Sequence, residues 1–343
     1  MSAKRHIIPV FVPHLGCTHG CVFCDQRNIS GTDAPPSPED VFNQIREAMI
    51  KLPNGKAAQV AFYGGSFTAV PVQRQDALLD AANRAFDSTS GNIRISTRPD
   101  CIDDETVARL MSKNVSTIEL GAQSMDMDVL RMSARGHTAD DTRRAAKAVK
   151  NGGAELILQM MTGLPGDTAE KSLYTACELI MLKPDGVRIY PTVVVRGTKL
   201  HELWLSGEYK EHTVAGAVGL CARLVPLFDG ASIPIIRLGL NPSDGLSAGD
   251  AVAGAYHPAF GELVRSRIYL ENARELLQNA KVEQGGDVVL SVQKGQRSAA
   301  TGQHRCNIEA LTREFGLVEL KIMENEAQKD KILVVSVDCR RDM

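Results

Sequence analysis

The sequence predicts an α/β fold, a barrel or partial barrel of parallel β-α units followed by a small α+β region. Apolar, β-branched segments alternate with helical segments at roughly 25–35-residue intervals, the rhythm of parallel strands joined by helices. Several of these segments end in glycine or proline, which stop a strand where a loop begins. About six or seven such units are present, fewer than a complete eight-stranded barrel needs. We therefore expect a barrel that does not close.

The strands predicted for the barrel lie at residues 7–12, 59–63, 93–97, 117–120, 156–161, 186–190 and 233–238. A helix is predicted to begin after Ser37 and to run to about residue 52, since serine caps a helix N-terminus and Pro38 suits its first turn. Another helix is expected over 139–151, with a glycine pair as its stop. Asp167 to Glu170 fits a capping box that opens a third.

The C-terminal part of the chain predicts a separate α+β region. Residues 241–254, rich in Gly, Ser, Ala and Asp, are expected to form a linker or an active-site loop. An amphipathic helix to about residue 280 follows, with strands over 282–293, 317–323 and 331–337. We therefore divide the chain into a barrel at 1–240 and an α+β region at 241–343, which is expected to pack on the barrel and is a candidate for substrate recognition.

The composition is that of a globular protein and argues against a strongly basic, a membrane-spanning and a secreted, disulfide-rich protein. The 343 residues are 43% hydrophobic, and the net charge of −2 gives no overall basic field to attract nucleic acid. No apolar run approaches the ~20 residues that span a bilayer, and the N-terminus lacks the apolar stretch of a signal peptide. The sequence therefore predicts a cytoplasmic protein without a membrane partner. Eight cysteines in such a chain do not indicate a disulfide framework.

Three cysteines lie close together near the start of the chain. Cys17, Cys21 and Cys24 fall in the loop after the first predicted strand, separated by three residues and then two. Thiolates select iron–sulfur clusters or zinc over hard cations, and three ligands are one short of a closed structural zinc site. An open metal position indicates chemistry, so a 4Fe-4S cluster is favoured. Zinc with His14 or His19 as the fourth ligand, or three ordinary thiols, remain alternatives.

This cysteine spacing resembles the cluster motif of the radical S-adenosylmethionine (SAM) superfamily. The resemblance implies a six-unit partial barrel, (β/α)6, whose cluster leaves one iron open to chelate the amino and carboxylate groups of SAM. An electron from the cluster would then split SAM into methionine and a deoxyadenosyl radical. In that family an aromatic residue, here Phe23, lies near the adenine, and a glycine pair, here Gly64 and Gly65, contacts the methionine end. Ser66 stands where the commonest form of the family has glutamate.

Further stretches resemble the Elongator catalytic subunit (protein three) family and its short bacterial relatives. Ordered matches over about residues 7–265 carry the resemblance, at 97–100, 119–124, 135–138, 160–166, 189–192 and 257–263. They imply a transferase that modifies tRNA. The family's acetyltransferase half and basic N-terminal arm have no counterpart in these 343 residues. The chain is therefore expected to be a short paralogue that does not carry out the family's whole wobble-uridine carboxymethylation.

The resemblance also implies that Ser66 contacts SAM through its backbone. Further SAM contacts are implied near the carboxyl ends of strands, at Glu119, Gln123, Met161, Gly163 and Tyr190. Arg98 and His137 are candidate substrate contacts, although an ion pair or a helix cap is an equally good interpretation of both. Polar side chains at strand ends also satisfy loop backbone, and paired methionines are often core residues. Structural roles therefore stay open for the whole set.

Three functional hypotheses are open at this point. The first is a radical SAM enzyme that modifies RNA such as tRNA, and the second is a radical SAM enzyme on a small molecule or protein, which the neutral charge favours. The third is a zinc- or cluster-binding protein without turnover. The first two need an electron donor such as a ferredoxin or flavodoxin. A basic stripe near the barrel mouth would favour RNA, and its candidates are Lys281, Lys294, Arg297, His304 and Arg305.

Overall fold

The structure, a computed structural model, describes residues 6–12, 20–24, 35–52, 58–86, 91–241, 249–328 and 332–339, with backbone alone for 337–339. The chain divides into two compact units. One comprises Met1–Thr213 with Pro226–Tyr256, and the other comprises Val214–Val225 with His257–Met343. The division into domains at residue 240 stays a prediction.

The first unit is built on one parallel sheet, as the strand–helix rhythm predicts. Its strands are β1 His6–Phe11, β2 Ala58–Tyr63, β3 Gly91–Thr97, β4 Val115–Gln123, β5 Glu155–Thr162, β6 Gly186–Pro191, β7 Val193–Val195 and β8 Ile235–Leu238. All but β7 join a single sheet in the order β1-β2-β3-β4-β5-β6-β8, and every neighbouring pair in it is parallel. This curled seven-stranded sheet confirms the partial barrel.

Helices supply the crossovers that parallel strands require. They are α1 Pro38–Ile50, α2 Val72–Phe86, α3 Asp104–Ser112, α4 Met127–Met132, α5 Ala139–Asn151, α6 Ala169–Met181, α7 Lys199–Leu205 and α8 Val214–Gly230. The capping box at Ser37 forms with Asp40, and Thr138 forms another with Asp141 at the start of α5. The predicted box at Asp167 is wrong, because the hydroxyl of Thr168 caps α6 by accepting from the Lys171 amide.

The two faces of the sheet differ in chemistry. Successive residues of a strand point to opposite faces, and on one face the central strands bury apolar side chains such as Ile95, Ile118 and Leu158. The other face of the same strands carries polar and charged side chains, including Arg94 on β3 and Glu119 on β4. Barrel interiors are commonly filled by branched apolar residues. A charged inner face therefore marks this sheet as the support of a site.

Two features of the first unit depart from the predicted strand pattern. Strand β7 pairs antiparallel with β9 Ala251–Gly254, inside the segment expected to be a linker or loop. Runs of only three and four residues carry too little periodicity to be recognised as strands. Strand β4 runs on to Gln123, past its predicted end at residue 120, through an irregularity between Gly121 and Gln123. The strand thus carries its polar end residues further than expected.

The second unit contains the predicted helix and strands of the C-terminal region. They are α9 Phe260–Asn279, β10 Gly286–Gln293, α10 Arg297–Thr301, α11 Cys306–Phe315, β11 Glu319–Asn325 and β12 Ile332–Cys339. Strand β10 is central, parallel to β11 and antiparallel to β12. A buried Asn307 joins the helices, because its amide donates to the Ser266 carbonyl at 2.9 Å and to the Ala300 carbonyl at 3.0 Å.

Acidic residues accompany part of the predicted basic stripe in this unit. Lys294 pairs with Glu326, and the backbone amide of Arg297 donates to Glu324 at 3.2 Å. The pair with Glu326 reduces the positive charge that Lys294 presents at that part of the surface. Within the described ranges, no helix has the length and apolar character needed to cross a membrane.

Candidate functional site

The second half of the cysteine loop is fixed on the carboxyl side of the sheet. The Val22 carbonyl accepts from the Leu200 amide at 2.7 Å, and the Val22 amide donates to the Ser133 carbonyl at 3.2 Å. The Val22 side chain is buried with Val194, Leu200 and Tyr209, and Phe23 packs against the same group. The loop is thus held between the segment that follows β4 and the start of α7.

Two of the three cysteines lie in this anchored segment. Cys21 and Cys24 are partly exposed, and the Cys24 amide closes a turn on the Cys21 carbonyl at 3.1 Å. Cys17, His14 and His19 lie outside the described residues. Within the described ranges, no group of three or more His, Cys, Asp or Glu side chains could hold a metal ion. The three-cysteine ligand set therefore stays a prediction.

A buried arginine that the sequence did not single out contacts the cysteine loop. Arg135 Nη1 donates to Cys21 Sγ at 3.1 Å, and Nη2 donates to the Gly121 carbonyl at 2.7 Å. The residue is 7% exposed. Its position within the matched stretch 135–138 was the available signal, but local sequence does not reveal a partner that lies 114 residues away.

Arg98, a predicted substrate contact, is engaged within the protein. Its Nε and Nη2 each donate to one oxygen of Asp100 at 2.9 Å, a bidentate pair that is largely buried. Burial lowers the pKa of Arg98, but the hydrogen bonds and charge of Asp100 outweigh burial and raise it. The guanidinium also interacts electrostatically with Cys21. The ion-pair interpretation thus describes Arg98 in this structure.

His137, the other predicted substrate contact, is buried beside these charges. Its Nε2 lies 3.1 Å from the Ala122 carbonyl, which can only accept, so Nε2 carries the proton. Nδ1 is buried and has no hydrogen-bond partner among the described residues. Burial and the positive charges of Arg135 and Arg98 lower the pKa of His137 to about 4, although Asp100 opposes them. His137 is therefore neutral near pH 7.

Acidification is expected to destabilise the protein through His137. Its folded pKa of about 4 lies below the ordinary value of 6.5, so between these pH values the unfolded chain binds a proton that the folded chain does not. Stability should therefore fall as the pH drops from about 6.5 towards 4, by up to ~3 kcal/mol. Urea unfolding at pH 7 and pH 5 measures the loss, which should be smaller in His137→Gln than in the wild type. Equal losses would contradict this role.

The glycine pair lies at the carboxyl end of β2. Gly64 has a φ of 99°, a left-handed conformation that disfavours other residues. Ser66 is 1% exposed, and its hydroxyl is 2.8 Å from Thr97 Oγ1 and accepts from the Arg98 amide at 3.2 Å. The Ser66 side chain therefore ties the loop after β2 to the end of β3. A SAM contact from this residue would have to come from its backbone.

Glu119 lies in a charged cluster on the inner face of the sheet. One of its oxygens is 3.1 Å from Arg188 Nε and 3.8 Å from Arg94 Nη1, and the three side chains come from β4, β6 and β3. Burial raises the pKa of Glu119, and the two arginines act against it. The contact with Arg188 has ion-pair distance but lacks hydrogen-bond alignment. Glu119 is thus held in the middle of the sheet.

Arg188 connects this cluster to Tyr190, a predicted SAM contact. Its guanidinium donates to Tyr63 Oη at 2.9 Å and to Tyr190 Oη at 3.2 Å, and lies 5.4 Å from the centre of the Tyr63 ring. Burial raises the pKa of Tyr190, so its hydroxyl stays protonated and can still donate. Strand periodicity by itself does not indicate Arg94, Tyr63 or Arg188 as site residues. For the two arginines, a charged residue inside an otherwise apolar predicted strand is the available signal.

The remaining predicted SAM residues lie further along the same strand ends. Gln123 has a φ of 63° and accepts from the Gln159 amide at 3.2 Å. Met161 is partly exposed and aligned with Tyr190 between β5 and β6. Gly163 has a φ of 74°, and a Cβ there would be 2.7 Å from the His212 ring. Gly163 therefore packs closely against protein, while Met161 and Tyr190 retain exposed surface.

The residues present fit an iron–sulfur centre. Cys21 and Cys24 provide soft sulfur donors at the two ends of one turn, and Arg135 donates a hydrogen bond to the Cys21 sulfur. Soft thiolate sulfur is the ligand that holds iron–sulfur clusters. The buried Nε of Arg135 and Nδ1 of His137 have no hydrogen-bond partners among the described residues. Both atoms are therefore available to hydrogen-bond a group bound beside the cysteines.

Comparisons with known proteins agree with this arrangement. A family model described as the radical SAM superfamily matches residues 11–175, and one described as the radical SAM C-terminal domain matches 184–270. An uncharacterized protein of Methanocaldococcus jannaschii is 33% identical over 217 residues, which are 59% of this chain and 66% of that protein. A tRNA uridine(34) acetyltransferase of the same organism is 30% identical over 254 residues, 62% of this chain and 47% of the relative.

Further relatives extend the pattern. Human Elongator complex protein 3 is 30% identical over 185 residues, 48% of this chain and 34% of that protein. The chain thus spans about half or less of the tRNA-acetyltransferase and Elongator relatives it matches. Among solved structures, the archaeal Elp3 of Methanocaldococcus infernus with an N-terminal deletion matches with a TM-score of 0.62 at 22% identity, over 80% of this chain and 64% of that one. Fold, cysteine loop and successive domain matches together lead to one assignment: the chain belongs to the radical SAM superfamily.

Proposed function

We propose that this protein is an iron–sulfur enzyme that cleaves SAM reductively and so starts radical chemistry on a substrate. The observation that carries the proposal is the anchored cysteine loop, which lies on the carboxyl side of a parallel sheet with a buried arginine donating to Cys21. Enzymes with parallel α/β sheets place their chemistry at that edge. Membership of the radical SAM superfamily supports the same chemistry.

Each part of the site has a separate task in this proposal. Cys17, Cys21 and Cys24 would hold a 4Fe-4S cluster, which when bound supplies the electron that SAM cleavage needs. Backbone groups of Gly64 and Gly65 would bind the methionine end of SAM. Met161 and Tyr190, which keep exposed surface on neighbouring strands, would line the other end. The protein's own work is to hold the reactants and exclude water.

We propose that the substrate is an RNA such as tRNA. We also propose that the protein acts in the cytoplasm. The names of the archaeal and human relatives support this choice, since several are tRNA uridine(34) acetyltransferases or Elongator proteins. A ferredoxin or flavodoxin would supply the electron. The net charge of −2 favours a small molecule or protein as the alternative substrate. A zinc- or cluster-binding protein without turnover is the remaining alternative.

Anaerobic reconstitution tests the reaction. Protein rebuilt with iron and sulfide should show the visible absorbance of a thiolate-bound cluster, and with SAM and dithionite it should release 5′-deoxyadenosine. Reconstitution with zinc provides the control and should release none. A protein that retains only zinc and makes no 5′-deoxyadenosine in any preparation would reduce the cysteine loop to a structural or binding device.

A second measurement tests the substrate. Total tRNA, a protein extract and a small-molecule extract are each incubated with the reconstituted enzyme and SAM, and the tRNA is digested for nucleoside mass spectrometry. We expect a mass change in one tRNA nucleoside, absent when SAM is omitted. Unchanged nucleosides, combined with faster 5′-deoxyadenosine release in another extract, would replace RNA by that substrate class.

A further inference from the structure

We propose that Arg135 is a positioning residue for the metal centre, and that its hydrogen bond to Cys21 raises the reduction potential of the cluster. The inference rests on the proposed function, because it needs a cluster held by the cysteine loop. It goes further by assigning control of the cluster's redox equilibrium to a residue on a different segment of the chain. Arg135 follows α4, whereas the cysteines follow β1.

The contact is direct and charge-assisted. Arg135 Nη1 lies 3.1 Å from Cys21 Sγ and is oriented to donate. Hydrogen bonds from charged donors are about twice as strong as neutral ones. The same guanidinium uses Nη2 on the Gly121 carbonyl, so both ends of its fork are engaged at once.

No carboxylate pairs with Arg135 among the described residues, although the residue is only 7% exposed. Arg98 offers the contrast, because Asp100 holds its guanidinium in a bidentate pair. A buried charge is costly unless an opposite charge or strong hydrogen bonds compensate it. The Cys21 sulfur is the acceptor on this arginine that becomes negatively charged when it ligates a metal. The negative charge of a ligated cluster is therefore the counter-charge that Arg135 lacks.

The donor is also fixed in place. The Arg135 amide donates to the Leu130 carbonyl at 3.0 Å, and Ser133, two residues earlier, accepts from the Val22 amide. The segment that carries the guanidinium is therefore bonded to the loop that carries the sulfur. The guanidinium therefore keeps its position next to the Cys21 sulfur when the charge of the sulfur changes.

Reduction adds one negative charge to a cluster and its ligands. A positive donor on a ligand sulfur stabilises the reduced state more than the oxidised state, and hydrogen bonds to sulfur are among the factors that set cluster potentials. With Arg135 present, reduction should therefore be easier than without it. Arg98 adds positive charge near Cys21 but is offset by Asp100, which leaves Arg135 as the larger influence.

The test is a reduction-potential titration of the full chain with a reconstituted cluster. Dithionite is added in steps, and electron paramagnetic resonance measures the reduced fraction of the cluster at each potential. Arg135→Gln keeps an amide donor and removes the charge, whereas Arg135→Lys keeps the charge but cannot span both acceptors. We expect the cluster of both variants to be harder to reduce than that of the wild type, and the effect to be larger in Arg135→Gln. For Arg135→Gln the equilibrium constant for reduction should fall roughly tenfold relative to the wild type, which lowers the potential by about 59 mV for one electron. Arg131→Gln removes a charge from an exposed pair with Asp128 and should leave the potential unchanged.

The outcomes separate this inference from the proposed function. A wild-type chain that assembles no cluster would refute both. A wild-type cluster whose potential is unchanged in Arg135→Gln, at equal iron content, would refute the inference alone. Loss of the cluster from both Arg135 variants, with Arg131→Gln intact, would assign Arg135 to assembly and would also overturn the role in tuning. A lowered potential at full iron content supports it, because a residue that acts only on folding would change the yield instead.

Discussion

The substitution Cys21→Ser or Cys24→Ser is expected to remove the iron–sulfur centre and reduce 5′-deoxyadenosine release to background. Both thiols lie in a loop bonded to Ser133 and Leu200 through Val22, so the ligands are presented by a fixed backbone. A serine hydroxyl is a poor ligand for iron in such clusters, because soft thiolate is the preferred donor. Iron and sulfide content, measured together with 5′-deoxyadenosine, should therefore fall together in each variant.

A matched cysteine elsewhere provides the control. Cys177 is exposed on α6, and Cys177→Ser should keep the iron content and the product of the wild type. If Cys177→Ser lost the cluster as completely as Cys24→Ser, the loss would reflect general thiol chemistry during reconstitution. If Cys24→Ser kept full activity, the cysteine loop would not be the metal site.

The substitution Glu119→Ala is expected to cause the largest loss of stability, about 3–5 kcal/mol. It leaves Arg94 and Arg188 buried without the carboxylate that neutralises them. An uncompensated buried charge costs far more than the net value of the pair. The free energy of urea unfolding measures the loss and is independent of any bound cluster. A loss below about 1 kcal/mol would show that water or rearrangement satisfies both arginines.

A double substitution distinguishes charge from packing. Glu119→Ala combined with Arg188→Met removes both partners of the closer pair, and its cost should be less than the sum of the two single costs. Asp128→Ala breaks an exposed pair with Arg131 and should leave the unfolding curve in place. Additive costs at positions 119 and 188 would mean that Glu119 acts through its shape and not through its charge.

Much of the fold was predictable because it depends on local patterns. The strand β6 and the helix α5 fall within one residue of their predicted bounds, since apolar runs and capping residues mark them directly. The β7–β9 ribbon was not predicted, because its pairing joins Val193 to Gly254 across two intervening helices and a strand. Short antiparallel pairs depend on tertiary position more than on propensity.

The candidate site divides in the same way. Cysteine spacing and the glycine pair could be recognised locally, since both fall within a few residues of sequence. The ion pair of Arg98 with Asp100 is also local, because the two residues are two positions apart, and it is one of the interpretations that the sequence leaves open. The contact of Ser66 with Thr97 and the pairing of Glu119 with two arginines could not be recognised in this way. Each of these partners is chosen by the alignment of neighbouring strands or loops, and a residue's capacity to bind a ligand depends on which partners it already has.

The sequence by itself determined that strands alternate with helices and that a soft-metal motif follows the first strand. These features follow from residue spacing, which sets hydrophobic periodicity and ligand type before any contact forms. Only the tertiary structure decided that Arg135 meets Cys21, 114 residues away, and that the charged residues of β3, β4 and β6 meet on one face. The physical reason is that electrostatic interactions depend on distance in space, and the folded sheet sets those distances.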